Sequence, residues 1–238
     1  MVFGARAARA AHLSGDDAVA AARYRDLLLI VLTLTTGVLD AVTFVRLGKV
    51  FSSVITGNLA LLGIAAGQRS GSLALNAGLA LAGYAAGVAV SSLIAGTPEK
   101  GQPAWPVHVT RAVAIETAVL VVFSAIWLAD GADPAGGARL AMLILAGVAM
   151  GMQSATVRRL GQMSTTYLTS TLTGIITDLA LRRRPADGGR STGILLAFVI
   201  GAAVGTVIAL QAPYWVPAPV LIPIAVVLAG SLRPQRGR

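Results

Sequence analysis

Apolar stretches of fifteen to twenty-four residues follow one another along almost the whole chain, separated by short polar joints, and that pattern leaves it one compatible solvent. A run of roughly 20 apolar residues spans the ~30 Å hydrocarbon core of a bilayer as a helix. Eight such segments can be marked: 27–45, 52–66, 72–95, 107–129, 140–157, 164–181, 193–212 and 214–232. Only 12% of the 238 residues are charged and the mean hydropathy is +0.76, against about 25% charged residues in a soluble domain. The expected fold is therefore all-α, a polytopic integral membrane protein with six to eight membrane segments.

Charge and residue type remove several functions. Cysteine is absent, so disulfides, thiolate metal sites and cysteine nucleophiles are excluded. Both histidines, His12 and His108, fall in polar stretches outside the expected spans, so no metal site and no cofactor is expected at membrane depth. The net charge of +9 comes from Arg and Lys in joints and termini, where the positive-inside rule places them. Nucleic acid is thus not an expected partner. The expected partners are the lipid bilayer and a small molecule or ion, and the glycine-rich faces are compatible with a homo-oligomer. Residues 1–26 form a polar, Ala/Arg-rich arm without the apolar core of a cleavable signal peptide. A basic tail, 233–238, closes the chain.

Two segments are anomalous. The 52–66 stretch is 15 residues, about 22 Å as a helix, too short to cross. The 164–181 stretch is crowded with hydroxyls and ends near Asp178. Lipid tolerates neither, so each either packs wholly against other helices or is a short re-entrant helix lining a cavity.

The anomalies are copies of each other. A shift of 113 residues lays Asp40-x-x-Thr43-x-x-Arg46-Leu47-Gly48 over Gln153-x-x-Thr156-x-x-Arg159-Leu160-Gly161. Ser52, Ser53, Thr56 and Leu59 then fall on Thr165, Thr166, Thr169 and Leu172. Six of the seventeen positions from Thr43 to Leu59 are identical, among them Arg, Gly and Thr, which chance matching of apolar segments rarely produces. The membrane domain, 27–232, divides on this basis into two internal repeats, 27–129 and 138–232. Eight crossings would make the repeats parallel; six crossings and two re-entrant segments would make them inverted, as in many secondary transporters. Both arrangements place both termini in the cytoplasm. The first puts 13 Lys and Arg inside and 6 outside, the second 15 and 4, so positive charge favours inversion.

The candidate substrate or ion path is drawn from the repeated motifs. Asp40, Thr43 and Arg46, with Gln153, Thr156 and Arg159, share one broad helix face in each copy. Asp40 reads either as a proton or cation site or as the ion-pair partner of Arg46. Thr56-Gly57-Asn58 combines hydroxyl, backbone access and an amide at the start of the short helix; its duplicate is Thr169-Ser170-Thr171. Packing through small and hydroxyl residues is the plainer use of both triplets. Glu116 lies deep in the fourth segment, where an acid suggests function, unless Arg111 neutralises it. Trp105 and Trp127 flank that segment as indoles do at the membrane interface. Gly83-x-x-x-Gly87, Gly147-x-x-x-Gly151 and Gly201-x-x-x-Gly205 predict close helix crossings. Pro217, Pro219 and Pro223 predict an extended or kinked start to the last segment.

The motifs Thr36-Gly37-Val38-Leu39-Asp40-Ala41-Val42-Thr43-Phe44, Leu47-Gly48-Lys49-Val50-Phe51 and Thr56-Gly57-Asn58 resemble those of the YoaK-type bacterial transmembrane proteins of unknown function. Gly151-Met152-Gln153-Ser154-Ala155-Thr156-Val157-Arg158, with the Thr-rich stretch after it, resembles that family's second signature. The resemblance covers most of the chain past the arm and implies a multi-pass protein of the bacterial inner membrane. Where the family tends to have Thr-Gly-Thr, this chain has Thr169-Ser170-Thr171, so close backbone approach is not implied there. Catalysis would need a general base from Asp40, Glu116 or Asp178, with no nucleophile–base set to serve, so the chain is not expected to be an enzyme. Transport of a small molecule or ion at the interface of the repeats is the leading expectation; a membrane scaffold or regulatory protein is the alternative.

Overall fold

The computed structural model describes residues 2–96, 104–160, 168–183 and 188–232, with side chains from Val19 onward. The described residues form eight α-helices: α1 Val2–Val42, α2 Ile55–Gln68, α3 Gly71–Ala95, α4 Val107–Ala129, α5 Gly136–Arg159, α6 Leu168–Ala180, α7 Gly188–Gln211 and α8 Pro217–Ser231. The 1–26 arm continues the first span, so α1 is one helix of 41 residues. Six helical stretches are long and apolar enough to cross a bilayer: Val19–Gly48, Gly71–Ala95, Val107–Ala129, Gly136–Arg159, Gly189–Gln211 and Pro213–Ser231. Helix α2, 14 residues long, falls short of that, as do the 13 described residues of α6. The chain is a polytopic helical membrane protein.

Helices α1 and α5 form the centre. Their apolar windows are 72% and 67% buried, whereas the other four spans are 22–39% buried and turn the rest to lipid. Each central helix has one close companion, and glycine makes the approach. A Cβ on Gly83 or Gly87 of α3 would strike the Ile144 or Val148 carbonyl of α5. A Cβ on Gly147 or Gly151 of α5 would strike the Ala80 or Tyr84 carbonyl in return. Helix α1 meets α7 the same way, Gly37 against Phe198 and Ala202, and Gly201 against Leu34. In lipid no hydrophobic force joins helices, so such close backbone contact is what holds them.

These contacts fix direction. Residue numbers rise together across the α3–α5 and α1–α7 pairs, so each pair is parallel. Gln153, near the end of α5, donates to Leu32 O and Thr36 Oγ1 in the middle of α1. Arg46, past the end of α1, reaches Ala132 and Asp133 just before α5 begins. Helices α1 and α5 therefore run antiparallel. Helix α1 ends, and α3 begins, at the end of the bundle that also holds Trp127 and Pro213, joined by an indole N–H donating to the Pro213 carbonyl at 2.8 Å. Helix α5 ends, and α7 begins, at the opposite end, where Arg190 lies 3.9 Å from Asp26. The spans that flank each short helix thus have their adjoining ends on one side of the bundle.

The tryptophans differ from the sequence expectation. Trp105 and Trp127 sit at the ends of α4 as anticipated, but both are buried, and each indole N–H is spent inside, on Thr110 Oγ1 and on the Pro213 carbonyl. They pin helix ends and do not face the lipid headgroups. His108, expected outside the spans, occupies the first turn of α4 and touches Arg159 at 3.1 Å. Pro217 takes the first position of α8, where its missing N–H costs nothing, after a 3-10 turn at Pro213–Trp215; Pro223 lies inside the helix.

Candidate functional site

The site is assembled from the way α1 ends. After Val42 the helix widens into a π-turn, Thr43–Gly48, and stops at Lys49 in the left-handed conformation (φ 61°). Such π-turns cost hydrogen-bond geometry and recur at functional sites. Gly48 leaves room for Asn76 of α3, whose amide donates to the Gly48 carbonyl at 3.3 Å. The chain then folds back along α1, because Asp40 captures it. Oδ1 accepts from Ser52 N (2.8 Å), Ser52 Oγ (2.8 Å) and Ser53 N (2.7 Å), and Oδ2 accepts from Ser53 Oγ. All three residues are buried. Asn58 closes the same loop, donating to Phe51 O at 2.6 Å and accepting from Phe51 N at 3.0 Å. Gly57 leaves space for Phe51 and Val54.

The consequence is a helix that starts inside the protein. Val54, the residue before α2, offers no side-chain cap; the Ile55 N–H donates to Ser53 O at 3.0 Å and the Asn58 N–H to Val54 O at 3.1 Å, and the start of the helix lines a cavity. That cavity has a volume of about 750 Å³ and lies between the starts of the two short helices. Ser53, Val54, Ile55 and Thr56 line one side, and Leu168, Thr169, Ser170 and Thr173 of α6 the other. Tyr84 of α3 and Phe198 of α7 complete the lining. The Tyr84 hydroxyl donates to Ser154 Oγ at 2.7 Å, tying the wall to α5. The surface presents hydroxyls and apolar groups together, and none of the described lining residues carries a charge.

The sequence candidates separate into groups. Thr56 and Thr169, equivalent under the 113-residue shift, both line the cavity. Asp40, Gly57 and Asn58 stand behind it and shape the loop. Thr43 and Thr156 make the same bond in both copies, each hydroxyl donating to the carbonyl four residues earlier, Leu39 O at 2.9 Å and Met152 O at 2.8 Å. Thr156 also meets Ser91 Oγ at 2.9 Å. Thr171, half-buried on α6, is not in the lining. The Thr165 and Thr166 counterparts of the two serines lie outside the described residues.

Two pairings that the sequence left open do not form in the structure. Arg46 does not pair with Asp40: it bonds Asp133 Oδ1 at 2.8 Å at the surface, while Asp40 is occupied by the serine loop. Arg159 lies at the opposite end from Arg46, donating to Ala95 O, the last carbonyl of α3, at 2.8 Å. The arginines therefore brace two ends of the bundle and do not meet at one site. Glu116 is fully buried on α4, but Arg111 lies exposed, so the pair does not form. Neither Glu116 oxygen has a hydrogen-bond partner among the described residues, and Glu116 is not part of the cavity wall.

Sequence reasoning missed Tyr84, Phe198 and Thr173. Tyr84 did carry a signal, as the one aromatic residue in the small-residue helix α3. Ser52 and Ser53 were visible only as repeat positions, with nothing to connect them to Asp40 twelve residues earlier.

A bundle of six spanning helices, with two short helices that line one open cavity, belongs to the class of multi-pass membrane proteins. The chain matches the family described as "Protein of unknown function (DUF1275)" over residues 28–230 and belongs to it. It is 35% identical over 164 residues, 68% of this chain and 70% of the relative, to the UPF0700 transmembrane protein YoaK of Bacillus subtilis (strain 168). No solved structure matches it.

Proposed function

We propose that this protein is a small-molecule transporter of the bacterial inner membrane, built from two inverted copies of a three-span unit, 27–129 and 138–232, with its substrate site in the cavity between α2 and α6. The observation that carries the reading is the meeting of the two short helices at one cavity. Short helices whose starts lie near the bilayer midplane, at the junction of inverted repeats, are how many secondary transporters hold a solute. Antiparallel α1 and α5, the exchanged pairing of α1 with α7 and α5 with α3, and the shared Thr43 and Thr156 bonds support the inversion. A volume of about 750 Å³ lies within the roughly 300–1,000 Å³ range of small-ligand pockets. The lining supplies hydroxyls for hydrogen bonding and apolar walls for shape, with no acid, base or histidine among the described lining residues, which favours transport over catalysis. Positive charge places both termini, and the end of the bundle with Arg158, Arg159 and Arg190, in the cytoplasm.

The test plugs the cavity. Detergent-purified protein is screened for thermal stabilisation by a library of amino acids, nucleosides, sugars and small organic acids, and each stabilising compound is followed by radiolabelled uptake into proteoliposomes. Thr173→Trp, which fills the space from the exposed side of α6, should abolish both stabilisation and uptake. Stabilisation and uptake that Thr173→Trp leaves intact, or a complete absence of stabilising compounds, refutes the assignment.

A further inference from the structure

We propose that Glu116 is a proton-binding site in the core of the bundle, a group that takes a proton from water and returns it as the helices change their packing. Its part in a transport cycle rests on the reading given above; its proton chemistry does not. Glu116 occupies the buried stripe of α4, together with Val109, Val113, Leu120, Phe123 and Trp127. Helix α4 is 23 residues long and Glu116 is its tenth, so it stands well inside the span. Both carboxyl oxygens are buried and bond to nothing among the described residues.

The helices packed against α4 bring no counter-charge to this depth. Helix α8 has no charged residue along Pro217–Ser231 and α3 none along Gly71–Ala95, where Tyr84 is the one titratable group and is bonded to Ser154. Helix α5 carries Arg139 near its start and Arg158 and Arg159 at its end, with none between. On α4 itself, His108 and Arg111 lie toward the first turns; Arg111 is exposed and His108 is in contact with Arg159.

An ionised carboxylate with neither cation nor donor in a dry interior costs many kcal/mol, whereas the protonated acid forfeits only hydrogen bonds to water. A glutamine or methionine would fill the same space without that liability, so the chemical property that distinguishes this side chain is the exchange of a proton. An acid facing a bundle interior is how membrane proteins commonly build proton relays. The step involves no redox change: a carboxylate oxygen forms an O–H bond with a proton from water, and the proton returns to water when the group is next hydrated.

The measurement is infrared titration of the full-length protein in liposomes, in water and in D2O, for the wild type, Glu116→Gln and Glu116→Asp. The wild type should show a protonated-carboxyl stretching band that shifts on exchange into D2O, fades as base is added and is missing from Glu116→Gln. Glu116→Asp should restore a band at a shifted frequency. Glu116→Gln should melt within a few degrees of the wild type, which shows that the loss of the band is not a loss of fold. Absence of a glutamine-sensitive band overturns the proposal, and so does a band that neither exchanges nor titrates, because a permanently protonated acid is only packing. Failure of the Thr173→Trp test would leave these spectra untouched, so the two readings fall separately.

Discussion

Replacing Asp40 by alanine removes the acceptor for four donors at once: the backbone N–H and the hydroxyl of both Ser52 and Ser53. The hydroxyls can turn toward other oxygens; the two amides cannot. A buried amide left without an acceptor costs about 1–3 kcal/mol, so the two together cost roughly 2–6 kcal/mol. At about 2–4 °C per kcal/mol for a chain of this size, Asp40→Ala should melt roughly 4–24 °C below the wild type. Asp40→Asn keeps one carbonyl oxygen in the place of Oδ1, which takes three of the four bonds, and its amide can donate to Ser53 Oγ. Its cost should be ~1 kcal/mol, close to that of one ordinary hydrogen bond. The measurement is thermal unfolding in detergent followed by tryptophan fluorescence, with limited proteolysis to show whether the loop at 49–54 has come loose. Equal losses for the two variants would show that the charge of Asp40, and not its acceptor geometry, carries the effect. No loss in either would show that the loop is held by other means. In both cases the account of how α2 begins inside the protein fails.

Two further outcomes follow from the packing. Gly87→Val and Gly151→Val each drive a side chain into a backbone carbonyl of the partner helix and should abolish accumulation of folded protein. Gly63→Val, where nothing lies within 4 Å of the new Cβ, should be tolerated, and comparable size-exclusion profiles for all three would refute the role given to the glycines. The absence of cysteine allows a direct test of orientation: an impermeant maleimide on intact cells should label Ala135→Cys, exposed just before α5, and should label Gln102→Cys only after permeabilisation. The reverse pattern would refute the cytoplasmic placement of the termini.

The membrane class, the helical fold, the positions of most spans and the two anomalous short segments were legible in the sequence, because hydropathy and length are set locally and a bilayer leaves few alternatives. The small-xxx-small patterns also read correctly, since close helix contact demands the residue types themselves. Pairings over distance were not legible. Asp40 and Arg46 lie six residues apart on one helix, and the sequence offered them to each other. Only the packing decided that Arg46 would turn to Asp133, and that Asp40 would face a loop the π-turn folds back upon it. Glu116 and Arg111 separate because five residues along a helix, at 3.6 per turn, differ by about 140°, which left one buried and the other exposed. The antiparallel course of α1 and α5, on which the proposed inversion of the repeats rests, comes from contacts between their ends that no local pattern encodes. The long apolar segments fixed the solvent; tertiary packing decided where, within it, hydroxyls of α2 and α6 line one cavity.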